Sequence, residues 1–147
     1  MAQHGGDWVL YEAKLRVIFQ RDLVTSAPTL DGKPCYLSMP EADQFWHLIS
    51  TGTSARTPDI PRCERLCWVR PMIEAVARGE ANMWRAKKKN LKGKTKTRVH
   101  VALPDFSHFI VLTETARAML LVTAYYTYSH QRLKLQRAWA ADPNHLP

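Results

Sequence analysis

The chain has 147 residues, of which 46% are hydrophobic, and its 21 Lys and Arg outnumber its 13 Asp and Glu to give a formal net charge of +8. This size and composition are typical of one globular domain and argue against an intrinsically disordered chain. No apolar run approaches the roughly 20 residues that cross a bilayer, and the first residues, MAQHGGDW, lack the basic-then-apolar layout of a signal peptide. We therefore expect a cytoplasmic protein, of a host or a target cell, that makes no membrane contact.

The first half of the chain is predicted to be mainly helical, over residues 7–79. Asp7 is placed to cap the first helix, and Pro71 is expected to break or restart the last one. Asp31-Gly32 marks a tight turn within the segment that separates the first two helices. Helical patterns cover residues 7–23, 38–52 and 62–79.

The second half predicts an antiparallel sheet over residues 80–128. Short turn-forming segments separate its strands, so that each strand can pair with the next. A helix is expected at 129–141 and a tail at 142–147. Four segments have strand character: ANMWRAKK (81–88), TKTRVHVAL (95–103), SHFIVLT (107–113) and AMLLVTAYY (118–126). The sequence thus predicts a single α+β domain over residues 1–147, with N-terminal helices packed on a four-stranded antiparallel sheet and a C-terminal helix.

Three cysteines give no sign of a metal site. Cys35, Cys63 and Cys67 are odd in number, they form no CxxC pair, and CERLC has no nearby histidine partner. We expect free thiols, no bound metal and no cofactor.

The excess of positive charge is concentrated in one stretch. Residues 84–100, WRAKKKNLKGKTKTRVH, hold eight Lys and Arg side chains and no acid. Such a run suits a polyanion, most commonly a nucleic acid, and the alternative is a solvated basic loop.

Alternation along the predicted strands gathers polar groups on one side of the sheet. Arg98 and His100 share a face, as do Arg85 with Lys87 and Thr123 with Tyr125. If the helices cover the other side, these six residues form a basic, hydroxylated surface with aromatic groups for base stacking.

The joint between the last strand and the last helix also suits an anion. Ser129 can cap the helix, and His130, Lys134 and Arg137 fall on one side of it. A phosphate can bind between strand-end hydroxyls and these cations. The alternative is a tyrosine-rich core edge beside an ordinary solvated helix.

Four pieces in order resemble the phage and polymorphic-toxin nucleases grouped with barnase, EndoU, colicin ribonucleases and RelE. They are FWHLISTG (45–52), RCERLCWVRPMIE (62–74), the basic hairpin with TRVHV, and FIVLTE leading to LLVTAYY and HQRLKLQR. The resemblance implies a metal-independent endoribonuclease in which the RNA 2′-hydroxyl attacks the adjacent phosphorus. Protein side chains then supply the acid, the base and the cations.

The resemblance also implies roles for individual residues and for partners. The implied catalytic set is His47, Thr123, Tyr125, Arg98 and His130. The implied RNA-binding set is Arg85, Lys87, Lys88, Lys96, His100, Tyr126, Arg132 and Lys134. The expected partner is RNA, such as tRNA or ribosome-associated mRNA, together with a cognate antitoxin or immunity protein.

Three alternatives stay open at this point. His47 can instead pair with Asp43, four residues earlier on the same helix. No two-histidine-plus-lysine set of the EndoU kind is recognisable, so the mechanism can be RelE-like, with basic residues and a tyrosine. The chain can also be a non-catalytic module of a phage or mobile element that binds nucleic acid or a host protein.

Overall fold

The computed structural model describes residues 7–52 and 56–147. The N-terminus that was predicted to lack a signal peptide falls mostly on residues 1–6, which lie outside the described residues. Residues 53–55, in the loop after the second helix, also lie outside them.

Asp7 caps the first helix as predicted, since its carboxylate accepts a hydrogen bond from the backbone N–H of Leu10. The helices are α1 Trp8–Phe19, α2 Glu41–Ile49, α3 Ile60–Arg65, α4 Val69–Val76 and α5 Ser129–Ala141, with a π-helical turn at Gln20–Thr25 and a 3-10 turn at Leu66–Trp68.

The predicted break or restart of the third helix falls close to Pro71, where α4 begins. Pro71 lies in the first turn of α4. Backbone N–H groups in a first turn have no partner within the helix, so proline, which lacks an N–H, is tolerated there. The 3-10 turn before it separates α3 from α4.

The strands form one large sheet and one small sheet. The large sheet is mixed and six-stranded, in the order β1-β2-β8-β7-β6-β5, and β3 pairs with β4 separately. The strands are β1 Thr29–Leu30, β2 Lys33–Leu37, β3 Ser50–Thr51, β4 Thr57–Pro58, β5 Asn82–Lys89, β6 Thr95–Ala102, β7 His108–Glu114 and β8 Met119–Tyr126.

The prediction of a four-stranded antiparallel sheet was therefore wrong in extent. The four strands β5 to β8 do form the expected antiparallel meander. The predicted turn at Asp31-Gly32 joins two further strands, with φ of 50° and 79° at its two residues. The second of these strands, β2, then pairs in parallel with β8.

The helices α1 to α4 cover one side of the large sheet, which we call the helix face. The core lies between them, where Val99, Ile110, Leu112 and Met119 meet residues such as Phe45. The opposite side is called the open face. Within the described ranges it is covered at one end only, where Trp139 of α5 joins the cluster formed by Trp84, Ala102 and Phe106.

The predicted tail is docked on the sheet. Leu146 exchanges two backbone hydrogen bonds with Met83, and the indole of Trp139 donates to the Leu146 carbonyl. Within the described ranges, no helix is long and apolar enough to cross a membrane.

Candidate functional site

A pocket of about 410 Å³ lies on the open face beside the region covered by α5. Its lining mixes cationic, hydroxyl and imidazole groups with apolar side chains. The lining residues are Ala86, Lys87, Lys88, Arg98, His100, Val111, Val122, Thr123 and Tyr125.

Strand register brings the polar lining groups together. His100 stands opposite Val111, and Val111 stands opposite Thr123, so the imidazole and the hydroxyl share one row across three strands. Arg98 lies two residues from His100 on the same face of β6. The four predicted residues Arg98, His100, Thr123 and Tyr125 thus meet in one pocket.

An irregularity in β8 determines which face Thr123 occupies. Leu121 pairs with Leu112 and points into the core, and the register shifts before Thr123 pairs with Val111. Val122 is the extra residue of this β-bulge, so Thr123 reaches the open face although it is two positions from a core residue.

His100 is held in a neutral state. Its ring stacks on Trp84 with centroids 4.9 Å apart and an interplanar angle of 10°. Burial, and secondarily the charge of Arg98, lowers the pKa of His100 to about 4. Its Nδ1 is buried and has no hydrogen-bond partner among the described residues. At neutral pH the ring is therefore a neutral imidazole.

Thr123 and Tyr125 present hydroxyl groups from the end of β8. Thr123 is 3% exposed, and its Oγ1 makes no hydrogen bond within the described part of the chain. The Tyr125 ring lies between Phe109, at 5.3 Å between centroids, and the Arg62 guanidinium, 4.7 Å from the ring centre. These two contacts fix the direction of the phenol.

Cations surround the pocket on the side of the β5–β6 hairpin. Arg98 Nη1 donates to Thr113 Oγ1 at 2.8 Å, which steadies the guanidinium beside His100. Lys88 stands directly opposite Lys96, and both are exposed. Like charges in this arrangement repel one another, and a bound anion relieves the repulsion. Lys87 borders the pocket, but contrary to the prediction it does not lie on the open face: it shares the face of Arg85, and its Nζ donates to Thr97 Oγ1 at 2.7 Å on that side.

Arg85 does not lie on the open face, contrary to the prediction. Alternation places Trp84 on the open face, so Arg85 points to the helix side, where it bonds Glu114 at 2.9 Å and Asp31 at 2.6 Å. The hydrogen bond from Arg85 lowers the pKa of Glu114 to about 2, and Lys33 adds to the effect. Arg85 is thus engaged in a structural ion-pair network.

His47 lies outside the pocket, on α2 at the helix face. Its backbone carbonyl accepts hydrogen bonds from Arg56 and Arg62. Burial and the charges of these two arginines lower the pKa of its imidazole. Among the described residues, no ion pair joins His47 to Asp43.

The residues predicted to form a site at the junction of β8 and α5 do not come together in the structure. Tyr126 turns to the helix side, where its hydroxyl donates to the Asp59 carboxylate at 3.3 Å. His130 is exposed and stacks on Tyr128 at 6.2 Å between centroids. Arg132 and Lys134 are exposed on α5 and, like His130, are not among the lining residues.

The cap of α5 also differs from the prediction. Ser129 is the first residue of the helix and does not cap it. The backbone N–H of Tyr128, the residue before it, donates a hydrogen bond to the Gln131 side-chain oxygen.

Sequence reasoning missed two residues that shape the pocket. Trp84 supports the His100 ring, and alternation along β5 alone could not place it on that face. Arg62 reaches Tyr125 from α3, and no sequence pattern indicated that contact.

Within residues 7–52 and 56–147, no group of three or more His, Cys, Asp and Glu side chains is arranged to hold a metal ion. Comparison of the chain with protein-family models, with curated proteins and with solved structures gave no match. The resemblance to the barnase, EndoU, colicin and RelE group stays a prediction.

Proposed function

We propose that the chain is an endoribonuclease that cleaves single-stranded RNA in the open-face pocket without a metal ion. One observation carries the proposal. A neutral imidazole, a hydroxyl without a protein partner and a fixed guanidinium meet in one pocket, at His100, Thr123 and Arg98.

The cations of the pocket bind the scissile phosphate. Arg98 supplies a planar guanidinium that can bond two phosphate oxygens, and Lys88 adds a second charge at the rim. The Thr123 hydroxyl then donates to the phosphate oxygen that gains negative charge in the transition state.

His100 and Tyr125 carry the protons. The 2′-oxygen attacks the adjacent phosphorus, so that a 2′-O–P bond forms while the P–O5′ bond breaks. The 2′-hydroxyl proton passes to His100, and the leaving 5′-oxygen takes a proton from Tyr125, which regains it from solvent. The products are a 2′,3′-cyclic phosphate and a 5′-hydroxyl.

A second candidate function is RNA binding without cleavage. The observation that favours it is that His100 is the single histidine of the lining among the described residues, since His47 and His130 lie elsewhere. The same cations serve both functions, so cleavage itself must be measured.

The test incubates the purified protein with tRNA and with total RNA in EDTA and maps the ends of the products. The informative variant is His100→Phe, which keeps a ring on Trp84 and removes the proton acceptor. We expect it to bind RNA normally and to cleave about 100- to 10,000-fold more slowly. His47→Ala is the matched histidine control and should cleave at the normal rate.

Two outcomes contradict cleavage by this pocket. Activity that stops in EDTA and returns with Mg²⁺ assigns the chemistry to a metal ion. RNA binding without any cleavage by the unaltered protein supports the binding-only function instead.

A further inference from the structure

A row of side chains crosses the open face from the pocket to the far strand. Arg98 pairs with Thr113, Thr113 pairs with Leu120, and Leu120 pairs with Tyr36 of β2. The row therefore begins at the proposed phosphate site and ends at an aromatic ring.

Tyr36 lies on the open face because its neighbours lie in the core. Cys35 and Leu37 pack into the core on the helix face, and strand alternation turns the residue between them the other way. The Tyr36 side chain is 52% exposed. No hydrogen bond or ring contact holds its phenol within the described residues, so the exposed part of the ring is available for contact.

The spacing along this row suits a nucleic acid strand. Arg98 and Tyr36 are three inter-strand steps apart, which is about 14 Å at about 4.8 Å a step. About two nucleotides of an extended single strand cover this distance. The surface between them is formed by half-buried Leu120 and Val122, a floor on which a ribose or base edge can rest.

We propose that Tyr36 is a stacking platform for an RNA base about two nucleotides from the phosphate held at Arg98. This inference rests on the proposed function, and it makes the substrate an oligonucleotide rather than a mononucleotide. Cations that follow a backbone, combined with an exposed ring that stacks a base, are the usual means of binding single strands with little sequence preference.

The test measures equilibrium binding of two probes that cannot be cleaved by 2′-attack. Hexauridylate with 2′-O-methyl groups is long enough to reach from Arg98 to Tyr36, whereas uridine 3′-phosphate is not. Tyr36→Ala should weaken hexamer binding on the order of 10-fold and leave uridine 3′-phosphate binding unchanged. Tyr36→Phe should bind both probes normally, and Tyr36→Leu should resemble the alanine variant, because leucine is apolar but cannot stack.

Controls separate failure of this inference from failure of the proposed function. Leu133→Ala removes an exposed apolar side chain from α5 and should change neither affinity. If Arg98→Ala weakens hexamer binding and Tyr36→Ala does not, the stacking platform is refuted and the pocket function stands. Normal hexamer binding by Tyr36→Leu also refutes stacking. If the unaltered protein binds neither probe, both proposals fail.

Discussion

Replacing His108 by leucine should stabilise the protein, and the gain should be larger at pH 5 than at pH 7. His108 is 2% exposed, and neither ring nitrogen has a hydrogen-bond partner among the described residues. Its ring meets the edge of Trp68 at 5.8 Å, and the space around it, which Arg62 and Arg65 help to line, leaves no room for a water molecule. An unpaired buried imidazole lowers the free energy of unfolding by about 1 kcal/mol or more.

The pH dependence follows from the direction of the pKa shift. Burial, followed by the charges of Arg65 and Arg62, lowers the pKa of His108 to about 4, against an ordinary value of 6.5. The unfolded chain therefore binds more protons than the folded chain between these two values. The free energy of unfolding falls as the pH drops below 6.5, and the fall stops near pH 4.

Each buried histidine lowers the free energy of unfolding between pH 7 and pH 5 by an amount set by its pKa shift. One pH unit changes the free energy of unfolding by 1.36 kcal/mol, so the 1.5 units from 6.5 to 5 amount to about 2 kcal/mol. His100, with a pKa also lowered to about 4, contributes a similar amount. The two together remove about 4 kcal/mol, a large part of the 5–15 kcal/mol typical of a domain.

Urea unfolding followed by tryptophan fluorescence at pH 7 and pH 5 measures the effect. The decrease between the two pH values should be about 2 kcal/mol smaller for His108→Leu than for the unaltered protein. Ile110→Val is the control without a titrating group, since it should cost about 1 kcal/mol at both pH values. An unchanged decrease in His108→Leu, together with a loss of stability at pH 7, would refute a neutral, unpaired His108.

Three further substitutions test the site and its surroundings. Thr123→Val should raise the free energy of unfolding by on the order of 1 kcal/mol, because the buried hydroxyl has no hydrogen-bond partner among the described residues. It should slow RNA cleavage roughly 100- to 1000-fold if the hydroxyl stabilises the transition state, and melting temperature and cleavage rate are measured together. Arg85→Ala should lower the free energy of unfolding by about 1–2 kcal/mol, because it leaves the Glu114 carboxylate without its main partner. RNA affinity should stay normal. Weakened RNA binding at unchanged stability would place Arg85 in the RNA site. Replacing both Lys88 and Lys96 by alanine should reduce the slope of log affinity against log salt concentration by about 1.4 for a single strand, at about 0.7 per phosphate contact. An identical slope would show that neither lysine contacts a phosphate.

Local pairing explains which parts of the sheet could be predicted from the sequence. The strands β5 to β8 follow one another through short turns, and each strand pairs with its chain neighbour. By contrast, β2 is short and contains Pro34, and its partner β8 lies near the other end of the chain. No pattern within residues 33–37 indicates a partner so distant in sequence.

The candidate site shows the same division. Alternation correctly paired Arg98 with His100 and Thr123 with Tyr125, because side chains two apart share a face. It could not tell which side of β5 is open, since that depends on Trp84 packing beneath α5. Arg85 was misplaced for this reason.

The parallel pairing of β2 with β8 has a consequence for the order of folding. Lys33 and Glu114, bonded near this junction, are 81 residues apart in the chain. Closing a loop of that length costs about 4 kcal/mol of chain entropy before its contacts form. During synthesis, β2 emerges long before β8, so its edge and the apolar side chains beneath it stay unpaired until β8 has been made. We therefore expect slow, late completion of the core and a tendency of truncated chains to aggregate through β2.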